Sequence, residues 1–165
     1  MTPRRATILA VALLLFWSAG QATHRADAQP KPPVLILVAA SMGGTDISLT
    51  TLRGAYENQT TIYRGSRLIP LNLPTGTPAR QIVDRVLLSL TPDRVGTFWI
   101  DQKIRHGIEA PRSTPSPEMM VRAVGSLKGL IGYVQMNPSA IPSAVTVLTV
   151  DGKKPSDPAY ALRAP

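Results

Sequence analysis

The sequence predicts an α/β domain. Two observations carry that expectation. Continuous apolar runs of strand length recur along the chain, and between them lie longer segments whose apolar residues fall at helical spacing. Three of those longer segments open on the same signal, a hydroxyl residue followed by proline: Thr77-Pro78, Thr91-Pro92 and Ser116-Pro117. The hydroxyl can accept a bond from a free N–H of the first turn. Proline at the first helical position has a helical φ and no N–H to leave unpaired. Strands alternating with such helices make an α/β layer structure.

The order of elements follows. Val34 to Ala40 (VLILVAA) is apolar throughout, as a strand buried on both faces requires. Ser41 to Asp46 reads as a glycine-containing loop, and Ser48 can cap a short helix over 49–58. Leu68 to Leu73 (LIPLNL) is a second strand, in which Pro70 argues for an edge position or a bulge. The helix from Pro78 to about Leu90 places Ile82, Val83, Val86, Leu87 and Leu90 on one stripe, with Arg80, Gln81, Asp84 and Arg85 on the other side. The next runs over 92–106 with Val95, Phe98 and Trp99 inward, and a third over 117–127 with Met120, Val121, Val124 and Leu127 inward. LIGYV (130–134) and AVTVLTV (144–150) read as strands, with one helical turn between them near 137–141. Asp151-Gly152 is a turn. The proline-rich tail 153–165 reads as poorly packed.

The N-terminus sets the compartment. Arg4 and Arg5 precede an apolar run from Ala6 to Gly20, and Ala26-Asp27-Ala28 offers a small-x-small site. That order is a secretory signal peptide over residues 1–28, cleaved after Ala28. The run is short for a membrane span, which needs about 20 apolar residues. Residues 29–33 (QPKPP) form a stiff leader, residues 34–150 the α/β domain, and residues 151–165 the tail. The expected location is periplasmic or secreted.

Charge and composition narrow the function. The chain carries a formal net charge of +8, and the signal segment removes Arg4, Arg5 and Arg25 against Asp27, so the remainder stays basic. A basic exported domain suits an anionic partner. The charges are scattered singly, as on a solvated face, and export argues against nucleic acid. With no cysteine, the fold does without disulfides, and thiol chemistry and zinc–thiolate sites are excluded. Of two histidines, His24 lies in the signal segment and His106 stands alone at a helix end, where it suits the dipole. No H-x-x-H is present, the acids are widely spaced, and Ser41 lacks the preceding glycine of a G-x-S-x-G elbow. The reading is non-enzymatic, with no cofactor.

The segment with chemical interest is Leu71 to Arg80 (LNLPTGTPAR). A strand ends, a tight glycine turn follows and a helix begins. Free N–H groups and the positive end of the helix dipole can hold an anion there. Thr75 and Thr77 add hydroxyls, Gly76 allows the turn, and Arg80 in the first turn would add charge. An ordinary capped helix has the same local pattern.

From Ile47 to Val150 the chain resembles the second lobe of phosphate ABC-transporter substrate-binding proteins, in a short single-lobe form. The matching stretches are LTTLRGAY (49–56), RLIPLNLPTGTPAR (67–80), the pair Phe98-Trp99, GLIGYV (129–134) and VTVL (145–148). No single stretch is specific, but their order and spacing are. The resemblance implies one periplasmic-binding-protein-like lobe, with a central mixed sheet of about four to five strands flanked by helices. It implies that Thr75-Gly76-Thr77 corresponds to the Ser-Gly-Thr turn that cradles phosphate in that family. Two departures stand out. The family places an arginine just before the turn and an acid near it, where this chain has Leu71 and Leu73, and the complementary lobe is absent.

The implied function is binding of phosphate or another small oxyanion, for ABC-type uptake or sensing. The implied partner is a membrane transporter or envelope protein. The alternative is a non-catalytic structural or protein-interaction module that keeps the fold without the ligand. The chain is expected to be a monomer or a weak homodimer, associating through the face of Thr75-Gly76-Thr77. Export is directly testable: mass spectrometry of the protein from the native cell envelope should give a mature N-terminus at or near Gln29, and full-length protein retained in the cytoplasm would refute it.

Overall fold

Val34 to Ala39 has no polar side chain, and in the computed structural model it lies at the centre of a sheet, with all five residues of β1 (Leu35–Ala39) buried. The structure describes residues 31–164, so the expected signal peptide and the first two residues of the leader lie outside the described residues. Seven further strands and four helices follow. They are β2 (Asp46–Ile47), α1 (Leu49–Tyr56), β3 (Ile62–Tyr63), β4 (Ser66–Arg67), β5 (Ile69–Asn72), α2 (Pro78–Leu88), α3 (Pro92–His106), β6 (Arg112–Ser113), α4 (Pro117–Ser126), β7 (Leu130–Val134) and β8 (Val145–Val150). A 3-10 turn at Pro138–Ala140 joins β7 to β8. Among the described residues no helix is long and apolar enough to cross a membrane.

The main sheet has six strands in the order β2-β8-β1-β7-β5-β6, and β3-β4 is a separate hairpin. The four longer strands are those legible in the sequence. The two extra ones, β2 and β6, are two-residue edges too short to leave a pattern. β1 runs antiparallel to β7 and β8, while β7, β5 and β6 are parallel, as are β2 and β8. One central strand therefore opposes five others, and the carboxyl ends of those five lie along one edge. The helices α1, α2 and α4 all begin at that edge.

Gly132 and Tyr133 show how the layers close on β7. A Cβ on Gly132 would sit 2.4 Å from Met120 Sδ and 3.0 Å from Val124 Cγ2, so glycine is what lets α4 lie against the sheet. The next residue faces the other way, by the period of two. The Tyr133 ring meets the Tyr56 ring of α1 at 5.7 Å between centroids. α2 packs on α1, where the Arg53 guanidinium donates from Nε to the Leu87 carbonyl at 2.9 Å and from Nη2 to that of Val86 at 3.4 Å, satisfying the end of α2. Thus α1 and α2 cover one face and α4 the other.

Several expectations change. Pro70 lies in an interior strand, β5, paired with β7 on one side. Its missing N–H costs nothing, because Ile69 donates toward β7, to Gly129 O at 2.9 Å, and position 70 therefore turns toward β6. There the pairing covers only Leu71 and Asn72. Leu127 is 60 % exposed, because α4 ends one residue earlier and the stripe ends with it. Of the three hydroxyl–proline starts, only Ser116 caps with its side chain, accepting from Met119 N; Thr77 and Thr91 do not. Arg80 and Asp84, expected on the solvent side of α2, are both buried.

The tail also packs. Tyr160 and Leu162 are buried, Tyr160 Oη donates to Val34 O at 2.9 Å, and Val34 N donates to Leu162 O at 2.9 Å. The prolines stiffen the segment without preventing two apolar side chains from docking at the start of β1. Leu162→Ala should therefore lower stability by about 2–5 kcal/mol, as for other buried leucines. Urea denaturation checks this, and a loss under about 0.5 kcal/mol, typical of a surface site, would mean that the tail does not pack.

Candidate functional site

The turn that follows β5 begins from an anchored strand end. Tyr56 Oη donates to Leu71 O at 3.1 Å, and Tyr133 Oη donates to Asn72 Oδ1 at 3.2 Å. The same Tyr133 oxygen accepts from Leu73 N at 3.2 Å. Both phenols are buried, and burial pushes the pKa of each above its ordinary value, so both stay protonated donors. On the β6 side, Thr114 N donates to Asn72 O at 2.8 Å. The last residues of β5 are thus held by two tyrosines from one face and by the neighbouring strand.

Pro74 to Thr77 then makes a tight turn. Thr77 N donates to Pro74 O at 3.2 Å, and Thr77 Oγ1 donates to the same carbonyl at 3.0 Å. Gly76 has φ +90°, in the region that costs an L-residue roughly 1–2 kcal/mol. The first backbone bond within α2 is Gln81 N–H to Thr77 O, so the N–H groups of Ala79 and Arg80 precede it and have no intrahelical carbonyl to meet. Thr75 and Gly76 are exposed and Thr77 is half-buried. Three of the expected site residues, Thr75, Gly76 and Thr77, form this exposed turn at the positive end of an 11-residue helix.

The fourth, Arg80, lies beneath the turn and not in its mouth. It is 4 % exposed. Its Nε donates to both carboxylate oxygens of Asp84, at 2.8 and 2.7 Å, and Nη1 donates to Leu73 O at 3.2 Å. Burial raises the Asp84 pKa, and the adjacent Arg80 charge and hydrogen bond oppose that rise. The pair spends the arginine's charge locally and ties α2 back to the strand end. Asp84, Tyr133, Asn72 and Tyr56 were missed as site-supporting residues. The available signal was that Arg80, Val83, Asp84 and Leu87 share i, i+3, i+4, i+7 spacing, which places an opposite-charge pair on an apolar face.

The topology gives this turn a particular place. β5 leads into α2 on the α1 face, and β6, its neighbour, leads through Thr114–Ser116 into α4 on the opposite face. Adjacent parallel strands whose connections part in this way form a switch point, and open α/β sheets take ligands beyond the carboxyl strand ends there. The chemistry on offer is hydrogen-bond donation to an anion by backbone N–H and threonine hydroxyl groups. Among the described residues no group of three or more His, Cys, Asp or Glu is placed to hold a metal.

Neither a family model nor a curated protein sequence matches the chain. Solved structures match its fold. An ABC-type phosphate transport receptor from Vibrio cholerae superposes with a TM-score of 0.59 at 13% identity, covering 77% of this chain and 49% of its own. A putative phosphate ABC transporter substrate-binding protein with bound phosphate, from Clostridium perfringens, gives 0.56 at 13%, covering 76% and 47%. PstS from Borrelia burgdorferi gives 0.55 at 12%, covering 77% and 50%. The chain thus has the fold of one lobe of such proteins and spans about half the length of those it matches.

The ion pair beneath the turn makes a quantitative prediction. Asp84→Ala leaves a buried guanidinium uncompensated and should cost about 3–5 kcal/mol, whereas Arg80→Met combined with Asp84→Leu should cost less than the single change. Guanidinium denaturation of the three proteins checks this. Equal small losses in all would mean that the pair is solvated.

Proposed function

We propose that this domain is an exported, non-catalytic binding lobe that takes phosphate or a similar small oxyanion at Thr75-Gly76-Thr77. The observation that carries the reading is the exposed turn at the N-terminus of α2, located at the switch point of the sheet and anchored from below. Backbone N–H groups supply the attraction, and the Thr75 hydroxyl, which makes no intramolecular bond among the described residues, supplies a donor. Arg80 acts as a positioning residue, holding the Leu73 carbonyl and therefore the turn. The likeness to phosphate-binding proteins supports the ligand class. The role in ABC-type uptake or sensing, with a membrane transporter or envelope protein as partner, belongs to the same proposal, as does a monomeric or weakly dimeric state.

One lobe taken by itself meets an anion from one side and leaves it wet, so the lobe alone is expected to bind weakly. A second reading, an interaction module that has lost the ligand, is favoured by one observation: the only cationic side chain within the 71–80 segment is neutralised by Asp84. Titration with phosphate and with sulfate at constant ionic strength, followed by amide NMR, separates the two. Oxyanion binding predicts saturable shifts at Gly76, Thr77, Ala79 and Arg80, weakened about fivefold in Thr75→Val by loss of one hydrogen bond. Absence of saturable shifts at millimolar phosphate would leave the interaction-module reading in possession.

A further inference from the structure

A second surface at the same sheet edge has no assigned role. β8 alternates between the two faces. Val145 faces α4, since its Cγ2 would lie 3.1 Å from a Cβ on Gly125 of that helix. Val147 and Thr149 project from the same face by the strand's period of two. α4 covers β7 and β1 far more than β8, so these two residues lie beside the helix and remain part-exposed. Around them Thr45, Pro138, Lys154, Pro155 and Ser156 border an open groove of about 350 Å³.

The groove has a defined chemistry. Thr149 Oγ1 is committed to Thr45 O at 3.0 Å and to the Asp46 carboxylate, so its methyl group and those of Val147 remain for contact. The two prolines add apolar walls. Lys154 is the one charged side chain in the lining, it is exposed, and it takes part in none of the ion pairs among the described residues. Asp46, the nearest acid of β2, does not line the groove, and its carboxylate already accepts from Gly152 N at 2.8 Å. The wall bearing Lys154 is fixed: Lys154 O accepts from Asp157 N at 2.9 Å, and Pro155 O accepts from Arg163 Nη2 at 2.8 Å.

We infer that this groove binds a small monocarboxylate, with its short apolar body against Val147, Pro138 and Pro155 and its carboxylate on the Lys154 ammonium. A preformed, mainly apolar groove with one orienting charge is the usual plan of a small-ligand site. The site is separate from the Thr75–Thr77 turn and does not depend on oxyanion binding there.

The test uses hexanoate, hexanol and hexylamine as probes, followed by amide NMR of the protein. Hexanoate should give saturable shifts at Thr45, Val147, Thr149 and Lys154, hexanol weaker ones, and hexylamine none. Lys154→Gln should weaken hexanoate about three- to fivefold, as loss of an exposed ion pair does, with the fold unchanged, while Lys153→Gln should leave it unaltered. Absence of shifts at these residues would overturn the inference, as would equal binding of hexanoate and hexylamine or indifference to Lys154→Gln. Phosphate shifts at Gly76 and Thr77 report on the other site, so failure of one reading leaves the other distinguishable.

Discussion

The Tyr133 hydroxyl holds the end of β5 and the turn that follows it in place. It donates to the Asn72 side chain and accepts from the Leu73 amide, joining the centre of the sheet to the last residues of β5. A buried phenol has to find such partners, because an unpaired polar group in the core costs about 1–3 kcal/mol. That requirement fixes where β5 stops. Once Leu73 is placed, Pro74 and the positive φ of Gly76 set the turn, and α2 starts where the turn ends. The Arg80–Asp84 pair closes the loop from the helix side by binding the Leu73 carbonyl.

The same arrangement explains a division of labour between charge and backbone. An arginine this close to a helix N-terminus would ordinarily be read as an anion ligand. Here burial dominates: a guanidinium that is 4 % exposed needs a counter-charge, and Asp84 supplies it at 2.7 Å. What remains for an incoming anion is the dipole end of α2, its free N–H groups and the Thr75 hydroxyl. These donors are directional and weakly charged, which suits reversible binding of a small oxyanion.

Much of the fold was legible because its signals are local. The four long strands are apolar runs, and three of the four helices start where proline follows a hydroxyl residue. Features that depend on distant partners were not legible. β2 and β6 are too short to carry a period, and they exist because β8 and β5 offer them pairing edges. The proline-rich tail reads as poorly packed, yet Tyr160 and Leu162 find buried places beside Val34. Of the candidate site, Thr75, Gly76 and Thr77 were readable as a turn before a helix. The burial of Arg80 was not read, because an i, i+4 charged pair ordinarily lies on a wet face and only its sharing a face with Val83 and Leu87 marks it as dry. The tyrosines beneath the turn come from α1 and β7, and only the folded chain brings them to it.

The proposed anion site is the turn after β5, with its support buried beneath it. A crystal structure of the protein grown in arsenate, with anomalous data at the arsenic edge, tests this most directly. An anomalous peak is expected at the N-terminus of α2, with arsenate oxygens within hydrogen-bond distance of the Gly76, Ala79 and Arg80 amides and Arg80 still paired with Asp84. A peak elsewhere, with that turn unliganded, or an Arg80 that leaves Asp84 to reach the anion, would contradict it.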